Sequence, residues 1–367
     1  MKKQLPKPLK ILLSVFKWIG FTLAAIVLLL ILFVAIARGI TYFSTRIDTD
    51  SGIDEGIYVP LGGQEQYVLI RGEDVNNPVI IWLHGGPAGS DAYANHTFQK
   101  YLVADYTVIN WDQRGCGRTY YRNHSQDPHN ETATFAQAQA DLDELVNYAC
   151  DRFDTEQVIL VGHSYGTMLG SKYALDHPEK VSAYIGVGQV MCFESEIYSY
   201  QDALAKAHAL GDDTTEMEAA YNTYVQDDSL INMMVLRSHV APYHVAPKQT
   251  DTLWLGISSP YMGISDLRWF LQSGDLEAYF ALNYQLFGYV KDADVRDFGS
   301  EYQIPVGFIS GSFDWTTPVK YTRDYYDWIS APEKQLQLLD GCGHSPQLNE
   351  PEEFSETLKT MLEAFLP

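Results

Sequence analysis

Gly162-His163-Ser164-Tyr165-Gly166 sets a serine between two glycines, directly after the apolar run Gln157-Val158-Ile159-Leu160-Val161 and before a helical pattern over 167–175. Strand, G-x-S-x-G and helix together form the setting of a nucleophile elbow, where the serine Oγ stands exposed at a turn too tight for flanking side chains. A serine hydroxyl is a weak nucleophile at neutral pH. It needs a histidine to take its proton and an acid to hold that histidine in the right tautomer. Pro305-Val306-Gly307-Phe308-Ile309-Ser310-Gly311 reads as a buried strand that ends in Ser312-Phe313-Asp314, and Leu336-Gln337-Leu338-Leu339-Asp340-Gly341 as another that ends in Cys342-Gly343-His344. Either residue alone is as readily a helix cap or a loop residue. Their joint placement past strand C-termini, where parallel sheets build their sites, points to a triad of Ser164, Asp314 and His344. His163 is expected to pack inside the elbow, and His177, directly before Pro178, to mark a helix stop.

The same chemistry needs donors for the negative charge that develops on the attacked carbonyl oxygen. Pro78-Val79-Ile80-Ile81-Trp82-Leu83 runs into His84-Gly85-Gly86-Pro87-Ala88-Gly89, where glycines let the backbone approach a reacting group. The N–H of Gly86, paired with that of Tyr165 after the serine, is the expected oxyanion hole. A second loop, Asp112-Gln113-Arg114-Gly115-Cys116-Gly117-Arg118, reads as structural, with Asp112 and Arg114 expected to pair and brace the pocket.

Around these residues, strands alternate with helical patterns at 91–103, 132–152, 165–177, 319–330 and 351–365, after a hairpin over 53–72 that turns at Gly62-Gly63. The alternation predicts an α/β fold with a mostly parallel sheet and helices on both faces. Residues 189–304 break that rhythm. They are rich in helical patterns and aromatics, carry 17 acidic against 6 basic residues, and read as a helical cap over the site. The expected organisation is therefore 1–46 anchor and tether, 47–188 first part of the core, 189–304 cap, and 305–367 second part of the core. Glu194 and Glu196 leave a strand end near Ser164 and are the candidates for holding a substrate amine.

HGGPAG, DQRGCGR, GHSYG, the late Asp314 and the terminal GCGHS together resemble the proline iminopeptidase family of α/β-hydrolases. The resemblance covers 78–188 and 305–350. It implies the α/β-hydrolase fold, with Gly86 in the oxyanion loop, Ser164 as nucleophile, Asp314 as acid and His344 as base. It also implies removal of an N-terminal residue, often proline, from short peptides, the free amine being held by cap glutamates. The elbow carries His-Ser-Tyr where such peptidases often have Gly-Ser-Trp, and 188–196 does not align with the family's cap glutamates.

Trp18 to Ala37 is a run of 20 residues without a charge, about 30 Å as a helix and enough to cross a bilayer core. Lys2, Lys3, Lys7, Lys10 and Lys17 precede it, while Arg38 and Arg46 follow, a bias that predicts a cytoplasmic N-terminus and an extracytoplasmic enzyme. A signal peptide cleaved after Ala35-Ile36-Ala37 is the alternative, disfavoured because the run exceeds the usual ~7–15-residue apolar region. Residues 38–52 are then a tether. Beyond residue 46 the chain carries 18 basic against 47 acidic residues, a balance of −29, which argues against nucleic acid and anionic headgroups as partners. Cys116, Cys150, Cys192 and Cys342 show no metal-ligand or disulfide-framework spacing, and neither metal nor cofactor is expected. The expected protein is a single-pass serine hydrolase of the cell membrane that takes a small peptide or ester substrate. The favoured activity is that of an aminopeptidase. A carboxylesterase or lipase acting on membrane-derived esters is the alternative, and a non-catalytic surface binding protein a third reading.

Overall fold

A computed structural model describes residues 6–366; Lys2 and Lys3, part of the basic flank, lie outside them. Eight strands form one sheet: β1 (Ile53–Leu61), β2 (Gln64–Gly72), β3 (Val79–Leu83), β4 (Thr107–Trp111), β5 (Val158–His163), β6 (Val181–Val187), β7 (Val306–Gly311) and β8 (Lys334–Leu339). Their spatial order is β1-β2-β4-β3-β5-β6-β7-β8. The β1–β2 hairpin and the β2–β4 pair are antiparallel, and every pairing from β4 through β8 is parallel. Strands buried on both faces have no polar side to alternate with, which is why β3 to β7 read as near-continuous apolar runs.

Two apolar layers sandwich the sheet. On one face Leu142, Leu145, Val146 and Ala149 of the helix Phe135–Phe153 pack with Met168, Leu169 and Tyr173 of the helix Tyr165–Asp176. On the other, Phe98 and Leu102 meet Phe354, Leu358, Met361 and Leu362 of the C-terminal helix Pro351–Phe365. The helix expected over 91–103 is reduced to His96–Gln99. There the Asp91 carboxylate accepts from Trp82 Nε1 at 3.0 Å and Asn95 Nδ2 at 2.8 Å, and Asn95 also donates to Asn110. Satisfying these buried polar groups draws the backbone into turns.

Between β6 and β7 the chain forms the helices Ser195–Leu210, Thr215–Gln226, Leu230–Val240, Thr252–Ser258, Ile264–Ser273, Leu276–Leu282 and Tyr284–Asp292. The first three share an apolar centre of Tyr200, Ala203, Ala207, Met217, Ala220, Met233 and Leu236.

The N-terminal helix runs from Lys7 to Thr45, well past the apolar run. The segment after Ala37 is therefore no slack tether as far as Thr45. Arg38 Nε donates to the Ile257 carbonyl at 3.2 Å, Arg71 Nη2 donates to the Thr45 carbonyl, and both Ala37 and Thr45 are buried. These contacts keep the last turns helical on the domain surface.

Candidate active site

Ser164 follows β5 directly and has φ 52° and ψ −124°, a left-handed conformation that is strained for any residue with a Cβ. The surroundings hold it there. Its N–H donates to the Val187 carbonyl at 2.9 Å, and its own carbonyl accepts from Thr167 N at 2.8 Å and Thr167 Oγ1 at 2.6 Å. The flanking glycines are a packing requirement. A Cβ on Gly166 would lie 2.1 Å from the Leu83 carbonyl oxygen, and one on Gly162 would lie 2.4 Å from the Gly166 oxygen. The turn closes only without them.

His344 comes from the loop after β8 and Asp314 from the loop after β7. His344 Nε2 lies 2.9 Å from Ser164 Oγ, and its Nδ1 lies 2.9 Å from Asp314 Oδ2. Asp314 is buried and also accepts from Thr317 N at 2.9 Å and Thr317 Oγ1 at 2.7 Å. Burial works to raise its pKa. The charge of His344 and the hydrogen bonds from His344 and Thr317 outweigh that, so the carboxyl titrates below its ordinary value. A fixed carboxylate on Nδ1 leaves Nε2 free to accept a proton from the hydroxyl. Beneath this pair, His163 stacks on Trp82, with ring centroids 6.3 Å apart, and its Nε2 donates to the His344 carbonyl at 3.0 Å. Burial, then the neighbouring His344, pushes the His163 pKa down to about 3, so the ring stays neutral. His163 therefore does more than pack: it holds the His344 main chain.

Gly86, just past β3, borders two clefts, one of which includes Ser164. The peptide plane that carries its N–H also carries the Gly85 carbonyl, which accepts from Gly89 N at 3.0 Å. Because that plane is rigid, anchoring the carbonyl aims the Gly86 N–H the opposite way. Tyr165 opens its helix, so its N–H has no carbonyl of that helix within reach. Two cap residues grip the same loop: Tyr279 OH donates to the Pro87 carbonyl at 2.6 Å, and Trp269 Nε1 to that of Ala88 at 2.9 Å.

The two glutamates part company. Glu194 is exposed, whereas Glu196 is buried and lines a cleft of about 130 Å³ that includes Ser164, Tyr165, Phe193, Met233 and Phe287. Glu196 is not a free carboxylate: Arg237 binds it through both Nη2 and Nε, the latter at 2.9 Å. A second cleft of about 270 Å³ runs from Gly86 past Tyr93, Trp269 and Phe270. Asp112 and Arg114 brace loops, but not by pairing with each other. Arg114 takes Asp141, at 2.7 and 2.9 Å, while Asp112 accepts from Ser90 Oγ at 2.6 Å and Arg118 N at 2.8 Å. Thr317, Arg237, Trp269 and Tyr279 were missed as site residues. Only Thr317 left a trace in the sequence, three residues after an aspartate at a strand end, the spacing of a capping turn.

Fold and catalytic geometry together define a hydrolase of the α/β-hydrolase fold, and the α/β-hydrolase fold family matches residues 78–237. The resemblance read from the motifs extends over most of the chain. A probable aminopeptidase, YbaC, of Bacillus subtilis (strain 168) is 26% identical over 305 residues, covering 81% of this chain and 93% of that protein. The proline iminopeptidase of Lactobacillus delbrueckii subsp. lactis is 26% identical over 317 residues, covering 83% and 97%. Among solved structures, proline iminopeptidase of Mycobacterium smegmatis superimposes with a TM-score of 0.61 at 21% identity, covering 85% of this chain and 98% of that one. A bacterial membrane phospholipase A superimposes with a TM-score of 0.60 at 16% identity, covering 97% and 98%.

Proposed function

We propose that the protein is a membrane-anchored serine aminopeptidase of the proline iminopeptidase type. Ser164 Oγ attacks the acyl carbon of an N-terminal residue while His344 Nε2 takes its proton. Asp314 holds the imidazole and stabilises the imidazolium. The N–H groups of Gly86 and Tyr165 receive the oxyanion, and His344 returns the proton to the leaving amine. Water then releases the acyl-enzyme by the same route. The observation that carries this reading is the continuous Ser164–His344–Asp314 chain, with both contacts at 2.9 Å. The peptidase assignment is supported by the two relatives named above. Membrane anchoring is supported by the exposed apolar helix Lys7–Thr45, and an extracytoplasmic enzyme by the lysines that precede its apolar run.

One observation favours a second reading, a carboxylesterase on small or membrane-derived esters. Glu196 already has a guanidinium partner, and the cleft beside it is otherwise lined mostly by apolar side chains such as Val190, Phe193, Met233 and Phe280. An ammonium there would have to compete with Arg237. The test uses a fluorophosphonate probe, aminoacyl arylamides led by proline, their N-acetyl forms and p-nitrophenyl esters. The proposal expects labelling of wild type but not Ser164→Ala, with free amines turned over faster than blocked ones. Turnover of esters alone, indifferent to N-acetylation, replaces the peptidase with the esterase. Full activity in Ser164→Ala overturns both.

A further inference from the structure

The helix Ile264–Ser273 has two working faces. Inward, Asp266 pairs with Arg118 and Trp269 grips the Ala88 carbonyl. Outward, Ile264, Leu267 and Leu271 follow one another at i, i+3 and i+7 and are 80%, 48% and 66% exposed, with Phe270 at 50% beside them. Such a stripe belongs against an apolar partner. The preceding helix, Thr252–Ser258, extends the same surface with Leu253, 69% exposed, and Trp254, 46% exposed.

Its neighbour identifies that partner. The helix Thr252–Ser258 lies along the N-terminal helix: the rings of Trp254 and Phe33 are 6.1 Å apart, and Ile257 accepts from Arg38. Phe33 precedes Arg38, the first charge after the apolar run, by five residues, or about 7.5 Å of helix. Where the N-terminal helix spans a bilayer, Trp254 therefore sits on the apolar side of the level marked by Arg38. That is the headgroup–acyl boundary, where tryptophan is favoured. Between the two elements lies a cleft of about 440 Å³ lined by Val34, Arg38, Leu253, Ile257, Ile264 and Phe270 among others. In a chain with 47 acidic residues, none of the residues lining this cleft is acidic.

We infer that the outward apolar face of the cap, on helices Thr252–Ser258 and Ile264–Ser273, is a second membrane contact that embeds in the acyl region of the bilayer and fills its cleft with lipid chains. The inference rests on the anchor reading above. Phe270 and Tyr93 line both this cleft and the one that reaches Gly86, so seating brings the cleft beside Gly86 within one side chain of the lipid.

The test places nitroxide side chains, one at a time, at Ile264→Cys, Leu271→Cys, Leu210→Cys and Leu28→Cys. It uses the full chain with Cys150→Ser, reconstituted in phosphatidylcholine vesicles. Power saturation compares collisions with oxygen, which partitions into lipid, and with a nickel chelate that stays in water. Oxygen should dominate at 28, 264 and 271, and the nickel chelate at 210, an exposed cap residue outside the patch. Lipid exposure at 28 with water exposure at 264 and 271 overturns the seating surface and leaves the anchor standing. Water exposure at 28 as well removes the anchor, and the inference with it.

Discussion

Thr317→Val removes one hydroxyl from the centre of the site and little else. The lost hydrogen bond joins Thr317 Oγ1 to Asp314 Oδ2 at 2.7 Å, in a buried position. A hydrogen bond to a charged group contributes about 1.5–3 kcal/mol. Asp314 keeps its bonds from Thr317 N and His344 Nδ1, both at 2.9 Å, so the lower end applies. The carboxylate must steady the imidazolium at the moment of attack, and a loss of about 1.5 kcal/mol there slows acylation roughly tenfold. The assay is the second-order rate of fluorophosphonate labelling at Ser164, which depends on the activated serine and not on knowing the substrate. Thr317→Ser, which restores the hydroxyl, should label close to the wild-type rate. Folded Thr317→Val labelling as fast as wild type, or Thr317→Ser as slow as the valine variant, would refute the reasoning. The first result would make the threonine merely structural, and the second would show that the hydroxyl alone does not set the rate.

Arg237→Met strands the buried Glu196 carboxylate and should cost about 3–5 kcal/mol in urea denaturation, much of it regained in Glu196→Leu/Arg237→Met. Burial lowers His84 and His96 to about 4 and His163 to about 3, while it raises Asp91 to about 6 and Asp112 also upward. As pH falls below 6.5, the unfolded chain protonates three histidines that the native state keeps neutral. The native state meanwhile protonates two carboxyls that the unfolded chain still leaves charged. The unfolded state thus binds about one proton more, and these five groups should make stability fall by about 1.4 kcal/mol per pH unit between roughly pH 6 and 4.5. Unfolding free energies that stay level or rise over that range would show that burial does not keep these histidines neutral.

The parts of the site that sequence made legible are those written into the backbone. β5, β7 and β8 are followed within five residues by Ser164, Asp314 and His344, because parallel strands end on one edge and the chain must turn there. Gly162 and Gly166 announce the elbow because close approach excludes every other residue. What stayed hidden depends on partners distant in sequence. Nothing near Glu196 reveals that Arg237, 41 residues on, reaches it, and nothing in the HGGPAG stretch foretells the grip of Trp269 and Tyr279. Local pattern also misjudged 91–103. Its helical spacing was real, but Asp91 takes Trp82 and Asn95 takes Asn110, both outside the segment.

That grip on Pro87 and Ala88 limits how freely the cap can be exchanged. In a modular enzyme, the lid could be replaced wholesale to change what is admitted while the reaction centre beneath carried on unaltered. Here an indole and a phenol from the lid are fastened to two carbonyls of the very loop whose Gly86 amide is proposed to receive the oxyanion. A foreign lid lacking those two donors would leave both acceptors empty and the loop free to drift. Chimeras made by transplanting 189–304 should therefore lose rate as well as change selectivity, unless an aromatic donor is restored opposite each carbonyl.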